Sequence, residues 1–365
     1  MNSDTSFSGD TLFLALPAFT LESGEILPQV TVAYRSWGRL NVACDNVVLV
    51  CHALTGSANA DQWWRGLMGP GKALDPERDF ILCSNVLGSC YGTTGPRSIN
   101  PVTDKSYGGH FPVVSVRDMV RVQAQWLDAL GIAQLRLVIG GSLGGMQVLE
   151  WAVLYPERVA AIAPIATSGR QSAWAIGLSE AQRQAIYADA NWQGGYYRPD
   201  QAPAVGLAAA RMFAMCSYRH WREFNRRFGR RQKASGEFQM ESYLRYQGAK
   251  LARRFDAATY VRLTEAMDTH DLARDRGDYY ATLAAIATPA LVVGVTSDGL
   301  YPLAEQQELA ALLPNAELAV LDSLHGHDAF LIETDRLNQL LLEFRARHAG
   351  TAPIPMLKEI RSCVL

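Results

Sequence analysis

The strongest constraint on this chain is the stretch 135–145, Leu-Arg-Leu-Val-Ile-Gly-Gly-Ser-Leu-Gly-Gly. A short apolar run rich in branched residues stops at glycines, and the residues from Gly145 to Trp151 read as a helix. Continuous apolar runs of this kind are what strands buried on both faces look like. The pattern is therefore strand, sharp turn, helix, with Ser142 inside G-x-S-x-G between Gly140 and Gly144. The glycines have a steric reason. Such a turn forces the serine into a strained backbone conformation, and flanking side chains would strike the neighbouring strand and helix. A serine presented this way stands clear of the backbone at a helix N-terminus, where the Leu143 amide is available to a developing oxyanion. The pentapeptide alone is a weak pattern that an incidental serine also satisfies. The strand before it and the helix after it favour a nucleophile.

The rest of the chain supplies the setting. Residues 11–34 alternate enough for antiparallel strands, with Ser23-Gly24-Glu25 as a turn. Residues 46–52 and 80–86 are short apolar runs that read as parallel strands, and each leads into a loop of small residues. Ser115 and Asp118 form a capping box for a helix that runs to about Leu130, where Gly131 stops it. Residues 159–167 read as a further strand. From 168 to 282 the periodicity is helical: Ser179–Gln182 reads as a capping box, and 207–219 and 243–254 read as helices. Strands resume at 290–296 and 317–321, and a closing helix spans about 329–348. The expected architecture is a mostly parallel α/β core, 11–167 and 283–349, interrupted by a helical insertion, 168–282, and followed by a tail, 350–365.

A serine at such a turn needs a base and a group to orient it. In the α/β-hydrolase arrangement they follow in the order Ser, Asp/Glu, His, each just after a strand. Asp298 follows the strand at 290–296, and Leu324-His-Gly-His-Asp-Ala-Phe-Leu331 follows the next. Taken singly, Asp298 also reads as a turn cap and each histidine as an ordinary loop residue. Three residues in order on the right strand ends make the triad the better reading. Of His325 and His327, the latter directly precedes the last helix, where the base is presented. His52, at a strand end, is better placed to shape the turn 53–56, whose Leu54 amide would be the second oxyanion donor. In this scheme Ser142 attacks an acyl carbonyl, His327 moves the proton and Asp298 orients the imidazole. Water resolving the acyl-enzyme makes a hydrolase; another alcohol makes a transferase.

Bulk properties exclude some classes. The 365 residues carry a net charge of −2, which gives no reason to expect nucleic acid or a membrane surface as partner. No uncharged apolar stretch is long enough to span a bilayer, no signal peptide is legible, and no metal-ligand spacing occurs. Cys44, Cys51, Cys83, Cys90, Cys216 and Cys363 read as reduced, mostly buried thiols of a cytoplasmic protein.

Beyond the elbow, several motifs resemble the homoserine O-acyltransferase family of the α/β-hydrolase superfamily. They are His52-Ala-Leu-Thr-Gly-Ser57, the stretch from Asn85 to Pro96, Gly140 to Gln147, Ala210-Arg-Met212 with Ser217-Tyr-Arg219, Tyr243 to Lys250 with Arg254-Phe-Asp256, and Gly326 to Leu331. They span roughly 12–345, the insertion included. One departure is Gly88-Ser-Cys90, where many relatives have Gly-Gly-Cys. The resemblance implies a catalytic serine, aspartate and histidine at Ser142, Asp298 and His327, and substrate contacts at Arg211, Tyr218 and Asp328. It also implies a helical lid, a homodimer formed through lid helices, and a place in methionine biosynthesis. The chemistry is consistent, since Arg211 offers a fork to homoserine's carboxylate and Asp328 a counter-charge to its ammonium. No permanently bound cofactor is expected, only an acyl-CoA co-substrate.

Residue 300 bears on the donor. Succinyl-using relatives tend to carry arginine two residues after the catalytic aspartate, and this chain has Leu300. Leucine suits a methyl group and offers nothing to a carboxylate, so acetyl-CoA is the expected donor. A succinyl-CoA-dependent homoserine or serine acyltransferase and a carboxyl-ester hydrolase are the alternatives.

Overall fold

In the computed structural model, which describes residues 10–348, an eight-stranded sheet forms the centre of the molecule. Its strands are β1 (Leu12–Leu16), β2 (Val30–Trp37), β3 (Val47–Cys51), β4 (Phe80–Ser84), β5 (Leu137–Gly141), β6 (Ile162–Ile165), β7 (Ala290–Val295) and β8 (Ala316–Leu321). The spatial order is β1-β2-β4-β3-β5-β6-β7-β8. β1–β2 and β2–β4 pair antiparallel; every other neighbouring pair is parallel. Every residue of β3, β5, β6 and β7 is buried, which accounts for their unbroken apolar sequence.

The helices are α1 (Ala60–Trp63), α2 (Val116–Ala129), α3 (Leu143–Leu154), α4 (Ala173–Tyr187), α5 (Ala204–Tyr218), α6 (Trp221–Arg227), α7 (Gln239–Ala252), α8 (Ala257–Asp268), α9 (Tyr279–Ala284), α10 (Leu303–Leu312), α11 (Ala329–Ile332) and α12 (Thr334–Arg347). At α2 the Ser115–Asp118 capping box is present in both directions, and Gly131 adopts φ 73° just beyond the end. Apolar clusters lie on the two faces of the sheet. One contains Leu49, Val138 and Val292, and the other contains Val48, Ile139 and Val293. Consecutive residues of each strand thus point into opposite clusters.

Between β6 and β7 the chain forms α4 to α9, and no strand occurs there among the described residues. Ser179 and Gln182 do not form a capping box. Both residues lie inside α4, whose N-cap is Ser172, with its side chain accepting from the Ala175 amide. Ser179 and Gln182 are buried, and the Gln182 side chain accepts from the Tyr260 hydroxyl. The S-x-x-Q spacing is the same within a helix as at its start, so the pattern marked the wrong turn. The closing helix is also two helices: α11 ends at Ile332 and α12 starts at Thr334, on either side of Glu333, which accepts from the Ser323 hydroxyl. Of the described cysteines, Cys51 and Cys83 are buried, Cys44 and Cys90 are half-buried and Cys216 is exposed, so "mostly buried" does not hold. Cys363 and the tail 350–365 lie outside the described residues. No described helix is long and apolar enough to cross a membrane.

Candidate active site

Four loops meet at the C-terminal ends of β3, β5, β7 and β8, the edge where open α/β sheets gather their ligands. After β5 the backbone turns at Ser142, with φ 58° and ψ −125°. A non-glycine residue held there costs roughly 1–3 kcal/mol and needs its surroundings to enforce it. They do: the Ser142 amide donates to the Ile165 carbonyl at 2.9 Å, and the Thr167 hydroxyl donates to the Ser142 carbonyl at 3.0 Å. Gly144 lets the first turn of α3 lie against the end of β3, since a methyl group there would collide with the Cys51 carbonyl. Gly141 likewise leaves room for the Phe330 ring.

Asp298 follows β7 and is 6 % exposed; His327, after β8, is 3 % exposed. Their side chains meet, Nδ1 of His327 lying 2.7 Å from Oδ2 of Asp298. The other carboxylate oxygen accepts from the amides of Leu300 at 2.8 Å and Tyr301 at 3.0 Å. Burial disfavours the charged imidazole, but the Asp298 carboxylate, by charge and hydrogen bond, and the Asp328 carboxylate outweigh it and raise its pKa. Three rings enclose His327, with centroids of Tyr301 at 5.4 Å and Tyr218 and Phe330 at 5.6 Å. Since Phe330 also packs on Gly141, this cage reaches the serine turn.

The two competing histidines have different surroundings. His325 is partly exposed, with Arg219 at 3.4 Å and the carboxylates of Glu223 and Glu333 at 3.9 Å. His52 is fully buried, with Nδ1 2.8 Å from the Ala53 carbonyl and Nε2 accepting from the Val86 amide at 3.1 Å. Neither the Leu54 nor the Leu143 amide donates to a protein acceptor among the described residues.

Arg211, on α5, places its guanidinium 5.3 Å from the Tyr218 ring, so a cation stands one ring away from the imidazole. Asp328 is already paired: Nε of Arg219 lies 2.9 Å from its Oδ2. Leu300 is 7 % exposed and packs into the core. A cleft of about 690 Å³ opens beside Gly141 and Phe330 and is lined by Ala53, Arg211, Arg35, Lys250 and Arg254. Three contacts here are not legible in the sequence. Arg254, in the turn after α7, donates to the Thr55 carbonyl and the Tyr91 hydroxyl, fastening that turn to the one after β3. The exposed Trp174 donates from its indole to the Gly299 carbonyl at 2.7 Å. Gln147 bonds the carbonyls of His52 and Leu143. Each joins segments far apart in the chain, which local pattern does not reveal.

Comparison with known proteins decides among the chemistries such a site permits. Residues 46–334 match the family model of the alpha/beta hydrolase fold. A homoserine O-acetyltransferase of Trichormus variabilis is 61 % identical over 347 residues, 94 % of this chain and 96 % of the relative. One from Nostoc punctiforme is 62 % identical over 328 residues, 88 % and 92 % respectively. The chain belongs to the homoserine O-acetyltransferase family. A solved homoserine O-acetyltransferase from Bacillus anthracis superposes with TM-score 0.87 at 27 % identity, covering 94 % of this chain and 99 % of that one. The fold is shared with hydrolases: esterase E22 superposes with TM-score 0.86 at 29 % identity, covering 92 % of this chain and 100 % of its own. The Trichormus and Nostoc homoserine O-acetyltransferases are thus about twice as identical to this chain as esterase E22 is. The two solved structures, at 27 % and 29 % identity and TM-scores of 0.87 and 0.86, show the shared fold without separating the two chemistries.

Proposed function

We propose that this chain transfers the acetyl group of acetyl-CoA to the hydroxyl of L-homoserine through an acetyl-Ser142 intermediate, as a step of methionine biosynthesis. Ser142 attacks the thioester carbonyl while His327 takes its proton. The tetrahedral oxyanion is held by the amides of Leu54 and Leu143. It collapses with loss of coenzyme A, whose sulfur takes the proton from His327. In the second half, homoserine's hydroxyl gives its proton to His327 and attacks the acyl-enzyme. The ester leaves, and Ser142 recovers its proton. Asp298 orients His327 throughout.

The observation that carries this reading is the position of Arg211. Its guanidinium, 5.3 Å from Tyr218 and beside the cleft at Gly141, provides a carboxylate partner next to the base, which a plain esterase does not need. Homoserine's ammonium then faces Asp328, which it shares with Arg219. Tyr218 separates the two charges and walls the acceptor site. Arg35, Lys250 and Arg254 line the same cleft and suit the phosphates of an acyl-CoA. Leu300, buried among apolar side chains, suits an acetyl methyl. Exposed Phe213, Trp221 and Tyr246 on the inserted helices support a homodimer through those helices, and the buried thiols of Cys51 and Cys83 suit the cytoplasm. Thiol release measured for acetyl- and succinyl-CoA, each with homoserine and serine, tests the assignment. Fastest turnover is expected with acetyl-CoA and homoserine; preference for succinyl-CoA, or acyl transfer to water alone, would refute it.

A further inference from the structure

The buried imidazole of His52 has no part in proton transfer, yet both its nitrogens are engaged at the oxyanion turn. Nε2 accepts from the Val86 amide, so in the neutral ring the proton sits on Nδ1, which donates to the Ala53 carbonyl at 2.8 Å. That carbonyl also accepts from the Gly56 amide at 2.8 Å. The Ala53 carbonyl and the Leu54 N–H belong to one peptide unit, which is planar, with its N–H opposite its C=O. Two donors on the oxygen therefore fix the direction of the Leu54 N–H and polarise it. The same segment is held from behind, where the Gln147 amide donates to the carbonyls of His52 at 3.3 Å and Leu143 at 3.1 Å. Gln147 is itself held by Gln123 at 2.8 Å, which accepts from Trp151 at 2.8 Å. The segments carrying the two proposed oxyanion donors are thus cross-linked by buried side chains. Full burial keeps the ring neutral, pushing its pKa down to about 4.

We propose that His52 is a positioning residue for acyl transfer, whose Nδ1–H aims the Leu54 amide at the developing oxyanion. The inference rests on the reading of Leu54 as an oxyanion donor. A fixed donor acts mainly on the transition state, so its loss appears in the acylation rate and hardly in ground-state binding.

Two substitutions separate this role from simple support of the Val86 loop. His52→Asn keeps a donor near Nδ1 and loses the acceptor for Val86; His52→Gln keeps a polar group near Nε2 and loses the bond to Ala53. The readout is the pre-steady-state burst of thiol release from acetyl-CoA, alongside the thermal unfolding midpoint. We expect acylation to fall about 10- to 100-fold in His52→Gln, with little change in donor affinity, and to recover largely in His52→Asn. Wild-type acylation in His52→Gln, or a loss confined to donor affinity, overturns the proposal. So does a folded His52→Asn no faster than His52→Gln. Nitrogen NMR of ¹⁵N-histidine wild-type protein is independent of whether the variants fold: a neutral ring protonated on Nδ1 is expected, and one protonated on Nε2 overturns the assignment. A wild-type protein that releases no thiol from acetyl-CoA refutes the acyltransferase reading instead, which keeps the two failures apart.

Discussion

Nδ1 of His327 and Oδ2 of Asp298 lie 2.7 Å apart, and the aspartate's other oxygen is held by the amides of Leu300 and Tyr301. The carboxylate cannot rotate away without losing two backbone bonds, so the imidazole is held in one orientation with its proton on Nδ1. Asp298→Asn presents an amide of the same shape that no longer requires this tautomer. Turnover should drop by about 10⁴-fold with the fold intact. Steady-state rates and circular dichroism check this, and a loss below tenfold would remove Asp298 from the role.

The raised pKa of His327 makes a pH prediction with a definite sign. The base must be neutral to accept the Ser142 proton, so kcat/KM should rise with pH through a midpoint above the ordinary histidine value of about 6.5. For stability the sign is opposite. The native state favours the protonated ring, so this pair's contribution is full below about pH 6.5 and is lost as pH rises through the folded pKa. A pH–rate profile with its acidic midpoint below 6 would show that Asp298 and Asp328 do not outweigh burial.

Much of this arrangement is legible in sequence where structure is local. The elbow at Ser142 and the capping box at Ser115 are each written within a few residues, and buried parallel strands announce themselves as apolar runs. What escaped depended on distant partners. Asp328 reads as a free counter-charge until Arg219, just past the end of α5, reaches it, and Ser179 reads as a cap until Ser172 proves to begin the helix. The sequence places His52 at its turn, but the Nδ1 bond to Ala53 and the Nε2 bond to Val86 emerge only when β3 and β4 lie side by side.

Arg211→Leu removes the proposed carboxylate fork without touching the acylating groups. The acceptor KM should rise by about 10- to 100-fold, as expected for losing a charge-assisted pair, while the burst with acetyl-CoA alone is kept. Loss of the burst would place Arg211 in the first half-reaction.

Leu300→Arg introduces a cation two residues after Asp298, beside the triad. Donor preference should move toward succinyl-CoA by about ten- to a hundredfold, measured as the ratio of kcat/KM values. An unchanged ratio in a folded variant would mean that residue 300 does not face the acyl group.

The central claim is a covalent acetyl group on Ser142. Enzyme mixed with acetyl-CoA and no acceptor, acid-quenched within one turnover, can be digested and mapped by mass spectrometry. We predict one thiol released per active site, one acetyl group on the peptide carrying Ser142, its loss on adding homoserine, and neither signal in Ser142→Ala. Thiol release that requires homoserine and leaves no acetylated peptide, or a burst that survives in Ser142→Ala, would contradict the account.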